Sequence, residues 1–164
     1  MTVRAVGTAD AVPLRALRVR ALAESPDAFG ATVADELKLT PDDCAQLIGR
    51  CQVADELAIY VALAGEAWVG MGGGRWFDRE RGVAQLWGMW VDPAVRGRRL
   101  GERLVVAVRA WAADHGARFL RLGVASPPGD VIAFYERLGF VRTGEIRPLR
   151  RDPSRQAVYL VRPV

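Results

Sequence analysis

The sequence predicts a mixed α/β fold, a sheet with helices on its faces, from three observations. Helical signals fill the first fifty residues, starting at Asp10 and again at Thr40. From Leu57 the apolar period changes to that of strands, three in succession. After Pro93 the order becomes turn, helix, strand, helix, strand.

Element by element, Thr2 to Val6 is a short strand. Asp10 stands where it can cap a helix running to about Ala23, with Pro13 in the first turn and Val12, Leu14, Leu17 and Leu22 as apolar positions. Ser25-Pro26-Asp27 breaks that helix and leaves Ala28 to Lys38 as loop or irregular helix. Thr40-Pro41-Asp42-Asp43 opens the next one, with a capping threonine, proline at the first position and acids in the first turn; it reaches about Cys51. Leu57 to Leu63 and Ala67 to Phe77 pair as strands through Ala64-Gly65-Glu66. Asp78 to Gly82 turns into Val83 to Val91, an apolar strand with two tryptophans. A helix from about Arg99 to His115 closes at Gly116. Phe119 to Val124 is a strand, Asp130 to Leu138 a helix ended by Gly139, and Phe140 to Ile146 and Gln156 to Val161 are the last strands. With no repeats, low-complexity tracts or linkers, residues 1–164 read as a single domain.

Composition narrows the function. The chain has 164 residues, 51% hydrophobic and 26% charged, and no run of about 18 apolar residues. Arg4 and Asp10 lie near the N-terminus with no apolar stretch and cleavage site, so neither membrane span nor signal peptide is expected, and the expected location is cytoplasmic. Cys44 and Cys51 fall on one helix about 10 Å apart, too far for a disulfide. The sole histidine, His115, is remote from them. Free thiols and no metal site follow. Of the 23 basic residues only Lys38 is lysine; arginine suits a phosphate-bearing partner. Without clustered aromatics on the basic segments or a recognisable binding helix, nucleic acid is not the expected partner.

The most informative stretch runs from Val91 to Glu102, Val-Asp-Pro-Ala-Val-Arg-Gly-Arg-Arg-Leu-Gly-Glu. It ends a buried strand and opens an amphipathic helix whose N–H groups and dipole favour an anion, with three arginines around it. A P-loop would need Gly-Lys-Ser/Thr, which is lacking, and the glycine spacing does not fit a dinucleotide fingerprint. The segment resembles the acetyl-CoA motif of the GNAT acetyltransferases, Gln/Arg-x-x-Gly-x-Gly/Ala. Arg96 and Gly101 match its ends, and Arg99 replaces the middle glycine. The sequence Phe134-Tyr135-Glu136-Arg137-Leu138-Gly139-Phe140 is similar to a second family segment, in the right order and after the expected strand.

The resemblance implies a GNAT-like, mostly antiparallel central sheet of six to seven strands flanked by about four helices. It implies transfer of an acetyl group from acetyl-CoA, as co-substrate and without metal, to an amine. Met89, Trp90 and Val91 match the strand end that pairs with pantetheine; Gly97, Arg98, Arg99, Leu100, Gly101 and Glu102 match the turn that binds pyrophosphate. Because helical conformation does not require glycine there, Arg99 is expected to keep the backbone contact and add charge. Tyr135 is placed to protonate the departing thiolate, and an N–H near Met89 or Trp90 to hold the oxyanion. Two positions depart from the family: Gly123 replaces a glutamate and Pro128 an asparagine. Glu24, Asp27 or a water chain near Gln85 are the candidate replacements for the base. Trp68, Trp76, Trp87 and Trp90 are core aromatics, of which one or two could hold a cationic amine. The series Arg142, Arg147, Arg150, Arg151 and Arg155 reads as a solvated hairpin or subunit surface. The acceptor region, Leu14 to Phe29, varies in the family, so a protein N-terminus, a polyamine, an amino acid or an antibiotic all remain open, as does a homodimer. The alternative is a non-catalytic acyl-CoA-binding module.

Overall fold

Local capping places the helices that flank the sheet. Thr40 Oγ1 accepts from Asp43 N at 3.2 Å while the Asp43 carboxylate takes Thr40 N, a reciprocal cap that starts α3 (Pro41–Cys51). Thr32 and Asp35 repeat it for α2 (Val33–Lys38), a short helix inside the stretch expected to be irregular. Asp10 does otherwise than its sequence position suggested. Its side chain makes no cap to α1 (Ala11–Glu24) and instead receives Arg4 at 2.5 and 3.0 Å and Gly7 N at 2.6 Å.

The computed structural model describes every residue except 54, 126–128 and 150–151. Its strands are β1 (Thr2–Ala5), β2 (Leu57–Ala64), β3 (Ala67–Asp78), β4 (Val83–Val91), β5 (Phe119–Ala125), β6 (Val141–Pro148) and β7 (Gln156–Pro163), joined in the order β1-β2-β3-β4-β5-β7-β6. All neighbours are antiparallel except β4 and β5, which run parallel. This is the mixed, mostly antiparallel seven-stranded sheet the sequence implied. Alongside α1, α2 and α3 stand α4 (Leu100–Asp114) and α5 (Gly129–Arg137), one helix more than expected.

One face of the sheet carries α4 and α5, with Val105, Val108, Trp111, Ile132 and Tyr135 packed on Ala84, Leu86, Leu120 and Leu122. On the other face Leu14, Leu17 and Ala21 of α1 and Ile48 of α3 meet Ile59, Val61 and Met71. Cys44 and Cys51 are free thiols on α3, and burial pushes the Cys51 thiol up to about 11. Among the described residues no helix is long and apolar enough to cross a membrane, and no group of metal-ligating side chains is gathered.

Candidate active site

The parallel pair β4 and β5 stays together for only three rungs: Val83 with Phe119, Ala84 with Leu120, and Gln85 with Arg121. Beyond them β5 continues to Ala125 paired with β7 alone, and β4 continues to Val91 paired with β3 alone. The two strands therefore open into a wedge, and the β5-side edge of Leu86 to Val91 has no strand partner among the described residues. A bulge helps to bend β4 away. Met71 pairs with Trp90 and Gly73 with Trp87, so Gly72 faces two residues, Gly88 and Met89. Gly88 sits at φ +63°, a conformation that suits glycine. An isolated glycine inside a strand pattern is the sequence signal for this bulge.

The wedge leads to the N-terminus of α4. Between them Pro93–Val95 forms a single 3-10 turn, capped by Asp92, whose Oδ1 accepts from Ala94 N at 3.0 Å. Gly97 follows at φ +79° with open space where a Cβ would lie. Arg99 is not the first helical residue: it is the N-cap, in the left-handed region at φ 58° and ψ 17°, the single described non-glycine residue with positive φ. The expectation that glycine is not needed at this position is therefore corrected; the backbone here is one that glycine adopts at lower cost.

The three arginines of the turn divide. Arg96 is not free for an anion, because its Nε donates to Val91 O at 2.9 Å and its Nη2 to Glu24 at 3.3 Å. Arg98 and Arg99 are exposed and have no carboxylate partner among the described residues. Leu100 is buried, so only its backbone faces the turn, and Glu102 lies in the first turn, where it suits the helix dipole but opposes a phosphate. Gly101 has a packing role: a Cβ there would meet Phe134 Cζ of α5 at 3.2 Å and Val91 Cγ2 of β4 at 3.9 Å. Both sequence segments singled out above thus touch at this one residue.

Met89 and Val91 are half-buried and Trp90 buried at the wedge's β4 wall. Tyr135 is 7% exposed, edge-on to Phe134 and Phe140 with ring centroids 5.0 and 5.7 Å away. Burial pushes its phenol well above the usual tyrosine range, so it stays protonated at neutral pH. On β5, Gly123 pairs with Tyr159, whose ring lies 3.0 Å from where a Cβ of residue 123 would stand. Pro128 lies outside the described residues.

The segment from Glu24 to Ala28 is tied at both ends across the wedge. Glu24 accepts from Trp90 Nε1 at 2.9 Å, from Arg96, and from the Ser25 hydroxyl. Asp27 accepts from Arg155 Nη1 at 2.7 Å, and Arg155 Nη2 reaches its carbonyl at 3.0 Å. These two carboxylates are structural anchors, and the hydrogen bonds from Ser25, then Trp90 and Arg96, hold the Glu24 carboxyl below its ordinary range. Held down in this way, Glu24 lacks the raised affinity for protons that a base needs. Arg155 is correspondingly no mere solvated hairpin residue. Arg142 and Arg147 pair with Glu136 and Glu145, and Arg150 and Arg151 lie outside the described residues.

The tryptophans are also already engaged. Arg4 lies 5.3 Å over Trp68, Arg20 5.5 Å over Trp90, Arg75 5.8 Å over Trp87 and Arg79 4.9 Å over Trp76. Each of these four rings, of which one or two were expected to be able to hold a cationic amine, carries an arginine of the chain itself. Gln85, the other proton-path candidate, accepts from Arg75 Nε and Nη2 at 3.2 and 3.1 Å.

Comparison with known proteins agrees with this geometry. The family model described as the acetyltransferase (GNAT) family matches residues 23–140. An uncharacterised N-acetyltransferase of Methanocaldococcus jannaschii is 36% identical over 76 residues, which is 44% of this chain and about a third of that protein (34%). Among solved structures, a GNAT-family acetyltransferase of Streptococcus pneumoniae superposes with TM-score 0.83 at 18% identity, covering 99% of each chain. A phosphinothricin acetyltransferase of Sinorhizobium meliloti, solved in complex with acetyl-CoA, gives 0.76 at 18% identity over 99% of this chain and 88% of that one. At these identities the solved structures establish the shared fold.

Proposed function

Since the chain belongs to the GNAT acetyltransferase family, we propose that it transfers the acetyl group of acetyl-CoA to a primary amine by direct attack, with residues 1–164 acting as one catalytic domain. The observation that carries the proposal is the wedge between β4 and β5 opening onto the N-terminus of α4. A flat, extended pantetheine arm fits beside the unpartnered edge of Met89, Trp90 and Val91. The pyrophosphate fits the backbone of Gly97, Arg98, Arg99, Leu100 and Gly101, where helix N–H groups and two uncompensated guanidinium groups meet it. Arg96 and Glu102 act one step removed, Arg96 by holding the Val91 carbonyl and Glu24 in place.

Acetyl-CoA supplies an activated acyl group; the chain's own residues supply position and charge. N–H groups at the Gly88–Met89 bulge face the developing oxyanion, where fixed donors count most. Tyr135, protonated and desolvated, donates to the departing sulfur from the α5 side. With Glu24 and Asp27 committed as anchors, the amine's proton leaves through water at the open end of the wedge.

Calorimetric titration of acetyl-CoA at two salt concentrations tests the reading, followed by an amine screen for thiol release. Saturable one-to-one binding that weakens with salt, as expected where arginines meet phosphate, together with amine-dependent thiol release, is the expected result. An absence of binding would remove the cofactor assignment and the enzyme with it.

A further inference from the structure

On the sheet face that carries α1, three residues line up at the last rung before β4 and β5 separate. Arg75 of β3 is registered with Gln85 of β4, and Gln85 with Arg121 of β5. Directly registered residues point to the same face, so the two arginines flank Gln85 with Cα atoms roughly 10 Å apart, two strand spacings. The row lies where the wedge between β4 and β5 begins, with Gly88 further along β4 and Gly123 further along β5.

Arg121 is held in an unusual setting. Its guanidinium lies 3.9 Å from the Phe77 ring centroid and 4.6 Å from that of Tyr159, so two aromatic rings pack against it. Its side chain is only 12% exposed, yet it makes no hydrogen bond among the described residues. One carboxylate, Glu145, stands 3.5 Å from it and is shared with Arg147 at 2.5 Å. With two rings packed against the guanidinium, its N–H donors are what remain for a ligand. Arg75 stacks on Trp87, binds the neutral Gln85 and has no carboxylate partner among the described residues. Two cations with spare donors thus stand beside the bulge, and the neighbouring tryptophan face is taken by one of them. A cationic tail would meet repulsion there and find no free ring. An oxyanion would meet two forks suited to it.

Building on the acetyltransfer reading, we infer that the acceptor is a small amine bearing a carboxylate, whose anionic group is held by Arg75 and Arg121. Arg75 and Arg121 are then specificity-determining residues, and the amine lies toward Gly88, a few bonds from the anion.

Thiol release from acetyl-CoA is measured over a set of amino acids, each paired with its carboxamide, and over spermidine. In parallel, the CoA complex is titrated with the same compounds while tryptophan emission is followed, with Trp87→Phe as the blank. The acids are expected to exceed their amides in kcat/KM by about tenfold or more, the scale of one charge-assisted hydrogen bond. They are also expected to produce a saturable emission change that the amides lack. Arg75→Gln should erase both preferences through KM for the acceptor while KM for acetyl-CoA stays unchanged, and Arg121→Lys should weaken them because a lysine lacks the planar fork. Amides or spermidine performing as well as the acids, with no anion-selective emission change, would overturn the inference and leave acetyltransfer standing. An anion-selective emission change without thiol release from any amine would retain the anion site and overturn its assignment to an acetyl acceptor.

Discussion

The Trp90 indole N–H donates to the Glu24 carboxylate at 2.9 Å, joining the end of α1 to the end of β4 across 66 positions of sequence. Arg96 donates to the same carboxylate and to the Val91 carbonyl. A single glutamate therefore connects the N-terminal helix, the wall of the wedge and the turn before α4. In this role Glu24 is held as a carboxylate by its three donors rather than poised as a base.

The first prediction concerns that anion. The Glu24 carboxyl is held below its usual range by Ser25, Trp90 and Arg96. A carboxyl whose folded pKa lies below its unfolded value, about 4.3, adds stability that is present above that value and is lost as pH falls through the folded one. Glu24→Gln is expected to cost under about 1 kcal/mol near neutral pH, because the side chain is partly exposed and screened. Urea midpoints of wild type and variant should draw together as pH falls below the ordinary glutamate range and through the lowered folded value. A gap that persists in acid would assign the effect to packing.

Arg99→Gly should have opposite effects on fold and ligand. Relief of a left-handed non-glycine residue is worth roughly 1–2 kcal/mol, offset in part by the greater freedom of unfolded glycine. Thermal unfolding of the free protein is expected to shift upward by a few degrees, while acetyl-CoA binds several-fold more weakly for want of a phosphate partner. Unchanged affinity would show that the backbone alone binds at this position.

Tyr135→Phe is expected to lower kcat by roughly ten- to a thousand-fold with acetyl-CoA affinity unchanged. Because burial keeps the phenol protonated well past neutrality, its loss should reduce the rate without moving either limb of the pH profile. A variant with wild-type kcat would remove Tyr135 from the chemistry.

Gly88→Ala tests the bulge. Nothing lies within 4 Å of the added methyl, so the cost is conformational and near 1 kcal/mol. Relaxing φ from +63° would re-aim the N–H groups of the next residues, and kcat is expected to fall by about tenfold or more, the scale of a misdirected oxyanion donor. Melting temperature and single-turnover rate measured together separate the two effects. A stable variant with full rate would mean that the bulge serves the sheet alone.

What the sequence determined by itself was what acts over one turn or one strand. Thr40 with Asp43, the stops at Gly116 and Gly139, and the limits of β4 were all legible, because a cap, a left-handed glycine or an alternating pattern is decided by neighbours within a few residues. The turn from Val91 to Glu102 was legible for the same reason, except that the left-handed state of Arg99 was not, since an arginine in the sequence gives no sign of a backbone that favours glycine. Tertiary structure alone decided the opening of β4 from β5, the contact of Gly101 with Phe134, the arginines over the tryptophan rings, and the tie between Asp27 and Arg155, 128 positions apart. Each depends on which strands become neighbours and in what register. That choice is made by burial summed over the whole sheet, and no local stretch of residues contains it.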